Sequence, residues 1–170
     1  LKWVGALLII FASAAIGRFF AMAYRDRPRQ LRQLRTALQS LETEITYGLS
    51  PIGEAAERLA DQLPEPGKSL FATFADRLNS GNYHLPAAWK AALDEVWPHT
   101  ALKNAEREIL RQFGETLGQS DRENQQKQIR LVLSHLEREE NDAREDQGRY
   151  EKMLNSLGLL AGLLLALILL

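Results

Sequence analysis

No cysteine occurs among the 170 residues, which excludes disulfides and thiolate chemistry and suits a reducing compartment. Histidine is nearly as scarce: His84, His99 and His135 lie far apart, without metal-ligand spacing, so the composition supports neither a metal site nor a cofactor. A phosphate-gripping glycine loop, H-E-x-x-H, C-x-x-C and G-x-S-x-G are all absent, and with them the commonest signatures of an enzyme. No proline follows Pro98, so nothing of that kind interrupts a helix in the last third of the chain. An overall excess of one charge is missing too, since 21 Lys and Arg face 22 Asp and Glu. That balance conceals a local one: Arg18, Arg25, Arg27, Arg29, Arg32 and Arg35 stand against Asp26 alone in residues 18–35.

Two apolar ends enclose the charged middle. Residues 3–17 carry no charge, and residues 19–24 extend the run past Arg18, giving the length of about 20 residues that a membrane-spanning helix needs. A secretory signal peptide is the alternative, with Lys2 as its positive start and Ala12, Ser13 and Ala14 as a small-x-small site; the basic flank opposes translocation. Residues 154–170 are apolar on every face, which fits a second span better than a buried soluble helix. Gly158 and Gly162 form a G-x-x-x-G that would permit close helix contact, although ordinary glycine usage explains it as well. The basic flanks, Arg25, Arg27 and Arg29 on one side and Arg144, Arg149 and Lys152 on the other, orient both termini outside and the middle in the cytoplasm. The expected division is an N-terminal transmembrane helix over 1–24, a cytoplasmic bundle and stalk over 28–152, and a C-terminal transmembrane helix over 153–170.

The middle reads as helices throughout. Leu31, Leu34, Leu38, Leu41 and Ile45 recur at three and four residues, the spacing of one helical stripe. Ser50 and Pro51 open a second helix with Ala55, Ala56 and Leu59 inward, and the 63–67 stretch with Pro64, Pro66 and Gly67 ends it. A third helix runs to Asn79 with Gly81 as its stop, and a fourth starts near Pro86 and carries Trp89, with Trp97 as either core or a partner-facing aromatic. A fifth presents Leu102, Ile109, Leu110 and Phe113, and Ser120 with Glu123 makes a capping box for the sixth. Gln125, Ile129, Val132 and Leu136 continue an inward face, whereas residues 137–152 are almost wholly polar and read as a wet stalk, with Gly148 its weak point. The fold expectation is therefore an all-α bundle of about six helices, flanked by N- and C-terminal transmembrane helices, its last helix long and continuous with the C-terminal span.

Carboxylates cluster at Glu106 and Glu108 and again over 137–140, and a catalytic pair could be drawn there. Arginine four residues on, as Arg144 follows Glu140 and Arg149 follows Glu145, favours a solvated helix face instead. Residues 113–121 are the most specific soluble stretch: either a plain turn with a cap or a recognition corner that two glycines let a partner approach. The candidate partner-binding residues are Arg32, Arg35, Gly114, Glu115, Gly118, Ser120 and Asp121. The basic stretch suits anionic lipid headgroups rather than nucleic acid, because it borders an apolar segment and its leucines keep helical spacing.

Several blocks together resemble the stage III sporulation protein AB family of endospore-forming Gram-positive bacteria. They are Arg27-Pro28-Arg29-Gln30-Leu31 leading into Leu38-Gln39-Ser40-Leu41-Glu42-Thr43-Glu44-Ile45, then Gly48 and Pro51. Phe113-Gly114-Glu115-Thr116-Leu117-Gly118-Gln119-Ser120-Asp121 with Gln125, Lys127 and Ile129 is the next, and Lys152-Met153-Leu154 before Leu157-Gly158 the last. The resemblance implies a non-enzymatic platform in a secretion-like complex between mother cell and forespore, in the mother-cell membrane facing the forespore. It also implies a fold similar to the cytoplasmic domain of the type II secretion and type IV pilus platform protein. The implied partners are a secretion-type ATPase and other membrane proteins of the complex. A membrane-anchored signalling adaptor using the long charged helix is the alternative, and a membrane-anchored enzyme with a pocket near His99 or His135 a more distant one.

Overall fold

The computed structural model describes the backbone at residues 2–48, 51–119 and 121–169, and side chains from Ala21 to Leu157 except those of residues 23, 49, 50, 120 and 155. Among the described residues six α-helices follow in order: α1 (Lys2–Tyr47), α2 (Ile52–Gln62), α3 (Gly67–Asn79), α4 (Leu85–Val96), α5 (Asn104–Thr116) and α6 (Arg122–Leu169), with a 3-10 turn at Trp97–His99 after α4. Each helix packs on the next, and α6 closes the ring against α1 along the most extensive of these interfaces.

The interior forms where the apolar stripes converge. Leu31, Leu34, Leu38 and Leu41 of α1 meet Ile129, Val132 and Leu136 of α6. The centre of the shorter helices is Trp89, with the rings of Phe71, Phe74 and Phe113 edge-on to it at centroid distances of 5.8, 5.2 and 5.6 Å. Its indole Nε1 donates to the Leu110 carbonyl at 2.8 Å, so burying this ring strands no donor. Trp97 is buried in the same cluster.

Three expectations change. First, among the described residues no helix is long and apolar enough to cross a membrane, which overturns the flanking transmembrane helices. The side chains of residues 3–17, of all but a few positions in 154–170, and the Gly158 and Gly162 pair lie outside the described residues. Second, the stripe that starts at Leu31 does not begin a helix of its own, since α1 runs unbroken through Pro28. A proline there removes one backbone hydrogen bond and crowds the preceding turn, a cost on the order of 3 kcal/mol that packing against α6 must offset. Third, residues 137–152 are no solvated stalk. Glu140 and Ala143 are buried against α1, and α6 continues through Gly148. Leu136, Glu140 and Ala143 keep the four- and three-residue spacing of the inward stripe, so the seam extends through sequence that looks polar.

Candidate functional site

The pairing of α1 with α6 is antiparallel. Tyr24 stacks on Tyr150 at 4.7 Å, Arg35 reaches Glu137 at 3.2 Å, and Arg130 reaches Glu42 at 2.8 Å, so partners descend on α6 as they ascend on α1. Two buried ionic centres sit on this seam.

The first is built on Arg27, only 6% exposed. Its Nε donates to Glu106 Oε1 at 2.7 Å and its Nη2 to Glu139 Oε2 at 3.0 Å. The other Glu106 oxygen accepts from the Lys103 backbone N–H at 2.7 Å, so one fully buried carboxylate both caps α5 and anchors α1. The second centre is Glu140, 1% exposed. It accepts from Arg35 Nη1 at 2.7 Å and Arg32 Nε at 3.3 Å, and it pairs with Arg144 one turn on. Burial alone would push its carboxyl up; hydrogen bonds from Arg35 and Arg32, with the charges of Arg144 and Arg35, outweigh that and hold it below its ordinary value.

Beyond these centres the two ends of the seam differ. At one end Met22, Tyr24, Met153, Leu154 and Leu157 are exposed, an apolar and aromatic collar beside Arg25, Arg29, Arg149 and Lys152. A groove of about 360 Å³ opens here between α1 and α6, lined by Arg25, Pro28, Arg29, Arg32, Arg144 and Gln147. The other end lies about 37 Å away, at 1.5 Å per residue along α1 to Tyr47. There a smaller groove, about 200 Å³, is bordered by Glu44, Ile45, Gly48, Ile52, Gly118 and Arg122.

The residues singled out as partner-binding divide between these places. Arg32 and Arg35 both grip Glu140; the Arg32 side chain stays largely exposed while that of Arg35 is mostly covered. Glu115 is exposed and ion-paired with Arg111, whose Nε and Nη2 also hold Glu108 at 2.8 and 2.6 Å. Those hydrogen bonds, with one from Gln112, lower the Glu108 carboxyl to about 2. Gly114 is buried beneath Trp89, where an added Cβ would stand 2.8 Å from Cγ and 2.9 Å from Nε1. It is thus a packing glycine, whereas Gly118, at φ +72°, is the left-handed residue that ends α5 and rims the far groove. Asp121 caps α6, its Oδ1 accepting from the Asn124 N–H at 2.9 Å, in the position expected of Ser120. Ser120 and the capping box drawn on it, like the Ser50 cap, lie outside the described residues.

His99 borders an open groove of about 450 Å³ with Glu65 and Glu95, whereas His135 is half-buried on α6. Among the described residues no three His, Asp or Glu side chains gather as a metal set. Sequence reasoning read Arg27 as part of a basic flank and Glu106 and Glu140 as members of a solvated face, whereas the structure buries all three. Their signal was positional, since each falls on an inward stripe among leucines, where a charge must find a partner.

The sequence matches the family described as Stage III sporulation protein AB over residues 2–170. Stage III sporulation protein AB of Bacillus subtilis (strain 168) is 50% identical over 169 residues, covering 99% of both chains. A solved structure of a stage III sporulation protein AB, also 50% identical, superposes with a TM-score of 0.70 and covers 73% of this chain and 98% of that one.

Proposed function

This chain belongs to the stage III sporulation protein AB family, and on that premise we propose that it is a membrane-associated platform whose charge-locked bundle hands contact with a cytoplasmic motor to the membrane. It is a non-catalytic sporulation protein. The observation that carries the reading is the α1–α6 seam: Arg27 ties α1 to α5 and α6 together, so a push on one helix is shared by three. Basic, aromatic and apolar side chains at one end supply the membrane-facing surface. Exposed Arg32 and Glu115, with the Gly118 and Asp121 corner at the far end, supply candidate surfaces for partners. On this reading the complex sits in the mother-cell membrane facing the forespore, with the bundle in the mother-cell cytoplasm and a secretion-type ATPase and other membrane proteins as partners.

Reconstituting the full chain in vesicles with that ATPase tests the reading. The expected result is saturable binding and a changed rate of ATP turnover. Finding neither, with the chain shown to be folded and vesicle-bound, overturns the platform role.

A further inference from the structure

We propose that the arginine groove between α1 and α6 is a seat for the phosphate of an acidic phospholipid; this rests on the membrane-associated reading above and names the lipid chemistry that reading requires. Arg25, Arg29 and Arg32 recur at four and three residues on one face of α1, and Arg144 with Gln147 faces them from α6. Four guanidinium groups thus line a concavity of about 360 Å³.

Intramolecular neutralisation is incomplete. Asp26 lies 3.2 Å from Arg29, and Glu140 is buried under the groove, where Arg32 and Arg144 share it with Arg35. Arg25 has no carboxylate partner among the described residues, and the side chains of Arg29 and Arg32 remain 65% and 64% exposed. The groove therefore retains forked donors for an anion's oxygens, the geometry that favours arginine at phosphate. Gln147 adds an amide, although its Nε2 already donates to Glu151 Oε1 at 3.0 Å.

What identifies the anion as an amphiphile's is the sequel to the groove. Met22 stands three residues before Arg25 on the same face of α1, and Leu154 seven after Gln147 on the same face of α6; both are exposed. A phosphate held by Arg25, Arg29 and Arg144 leaves an attached acyl chain beside apolar surface that water would otherwise wet. A free phosphate makes no use of that strip.

The test uses the full chain, delivered from detergent, floated with vesicles of phosphatidylcholine alone or mixed with phosphatidylglycerol. The native chain is expected to bind the mixed vesicles more tightly. Arg25→Gln with Arg29→Gln leaves the ligands of Glu140 in place and removes two charges, and it is expected to weaken binding to mixed vesicles by about 30-fold. Binding to phosphatidylcholine alone should stay unchanged. The control is Arg58→Gln with Arg77→Gln, an equal loss of charge at exposed positions elsewhere, expected to keep the preference. If the control loses as much as the groove variant, or the groove variant keeps the preference, the site is refuted while membrane association stands. Millimolar inorganic phosphate abolishing the preference would mean a free-anion site and refute the lipid. No binding to either vesicle would refute membrane association itself.

Discussion

Replacing Gly114 by alanine separates a packing role from a recognition role. Helix propensity alone makes Gly→Ala stabilising by up to about 1 kcal/mol. At this position the new methyl meets Trp89 Cγ at 2.8 Å and Nε1 at 2.9 Å, well inside ordinary contact. Trp89 has nowhere to retreat, because Phe71, Phe74 and Phe113 hold its ring edge-on and Leu110 holds its N–H. Overpacking of this kind costs roughly 1–3 kcal/mol. Tilting the indole out of its hydrogen bond adds roughly 1–3 kcal/mol more. The expected net loss is about 3 kcal/mol, or roughly 10 °C in Tm for a chain of this size. Thermal unfolding of the full chain in detergent, followed by the near-UV circular dichroism of its tryptophans, reads the shift. The companion is Gly114→Ala with Trp89→Leu, which removes the clash and should cost less than the sum of the single changes. An unchanged or raised Tm for Gly114→Ala, or strict additivity in the double variant, refutes the argument.

Two further predictions address the buried ions. Glu140→Gln keeps the shape and removes the anion beneath Arg32, Arg35 and Arg144, and it should destabilise by about 3 kcal/mol in a urea titration. Because the folded carboxyl lies below its ordinary 4.5, its contribution is full above that pH and fades as pH falls through the folded value. The native protein should therefore lose stability on acidification below about 4.5 more steeply than Glu140→Gln, and equal slopes would refute the assignment. Arg27→Met leaves the Glu106 carboxylate buried without its cation, at a cost of about 3–5 kcal/mol. Adding Glu106→Gln should recover a large part of that loss, and equal unfolding midpoints for the single and double variants would show that the pair is not the source.

The sequence discloses helices better than it discloses what their charged faces do. The apolar stripes of α1 and α6, the proline and glycine stop after α2 and the stop at Gly81 are all local signals, and the structure follows them. Pro28 gave no sign that a helix would run through it, because its cost is local while its compensation, packing on α6, lies more than a hundred residues away. The polar stretch over 137–152 misled for a similar reason. Glu140 has Arg144 four residues on, the ordinary pattern of a wet helix face, and that pairing is present. Arg35 arrives from a different helix, however, and no periodicity within α6 announces it. Gly114 and Gly118 looked alike in sequence, yet one makes room for the Trp89 indole of α4 and the other turns the chain at positive φ. Of the candidate site, the residue types were legible and their partners were not.

The position of the ionic centres bears on how a platform can work. A seam of leucines alone tolerates sliding, since one leucine replaces another a turn along at little cost. Arg27 and Glu140 do not permit this. Moving α6 by one turn would take Glu139 from Arg27 and take Glu140 from Arg32 and Arg35, leaving Glu140 with Arg144 alone, and breaking buried ion pairs in this way costs several kcal/mol. Such ions add little to stability compared with a well-packed apolar seam, so what they contribute is register. For two helices about 70 Å long at 1.5 Å per residue, register determines whether displacement at one end arrives at the other. The centres lie toward the basic collar, so a force arriving at the Gly118 corner reaches them before it reaches the collar. A seam free to slip would dissipate that force, whereas one held by buried ions delivers it.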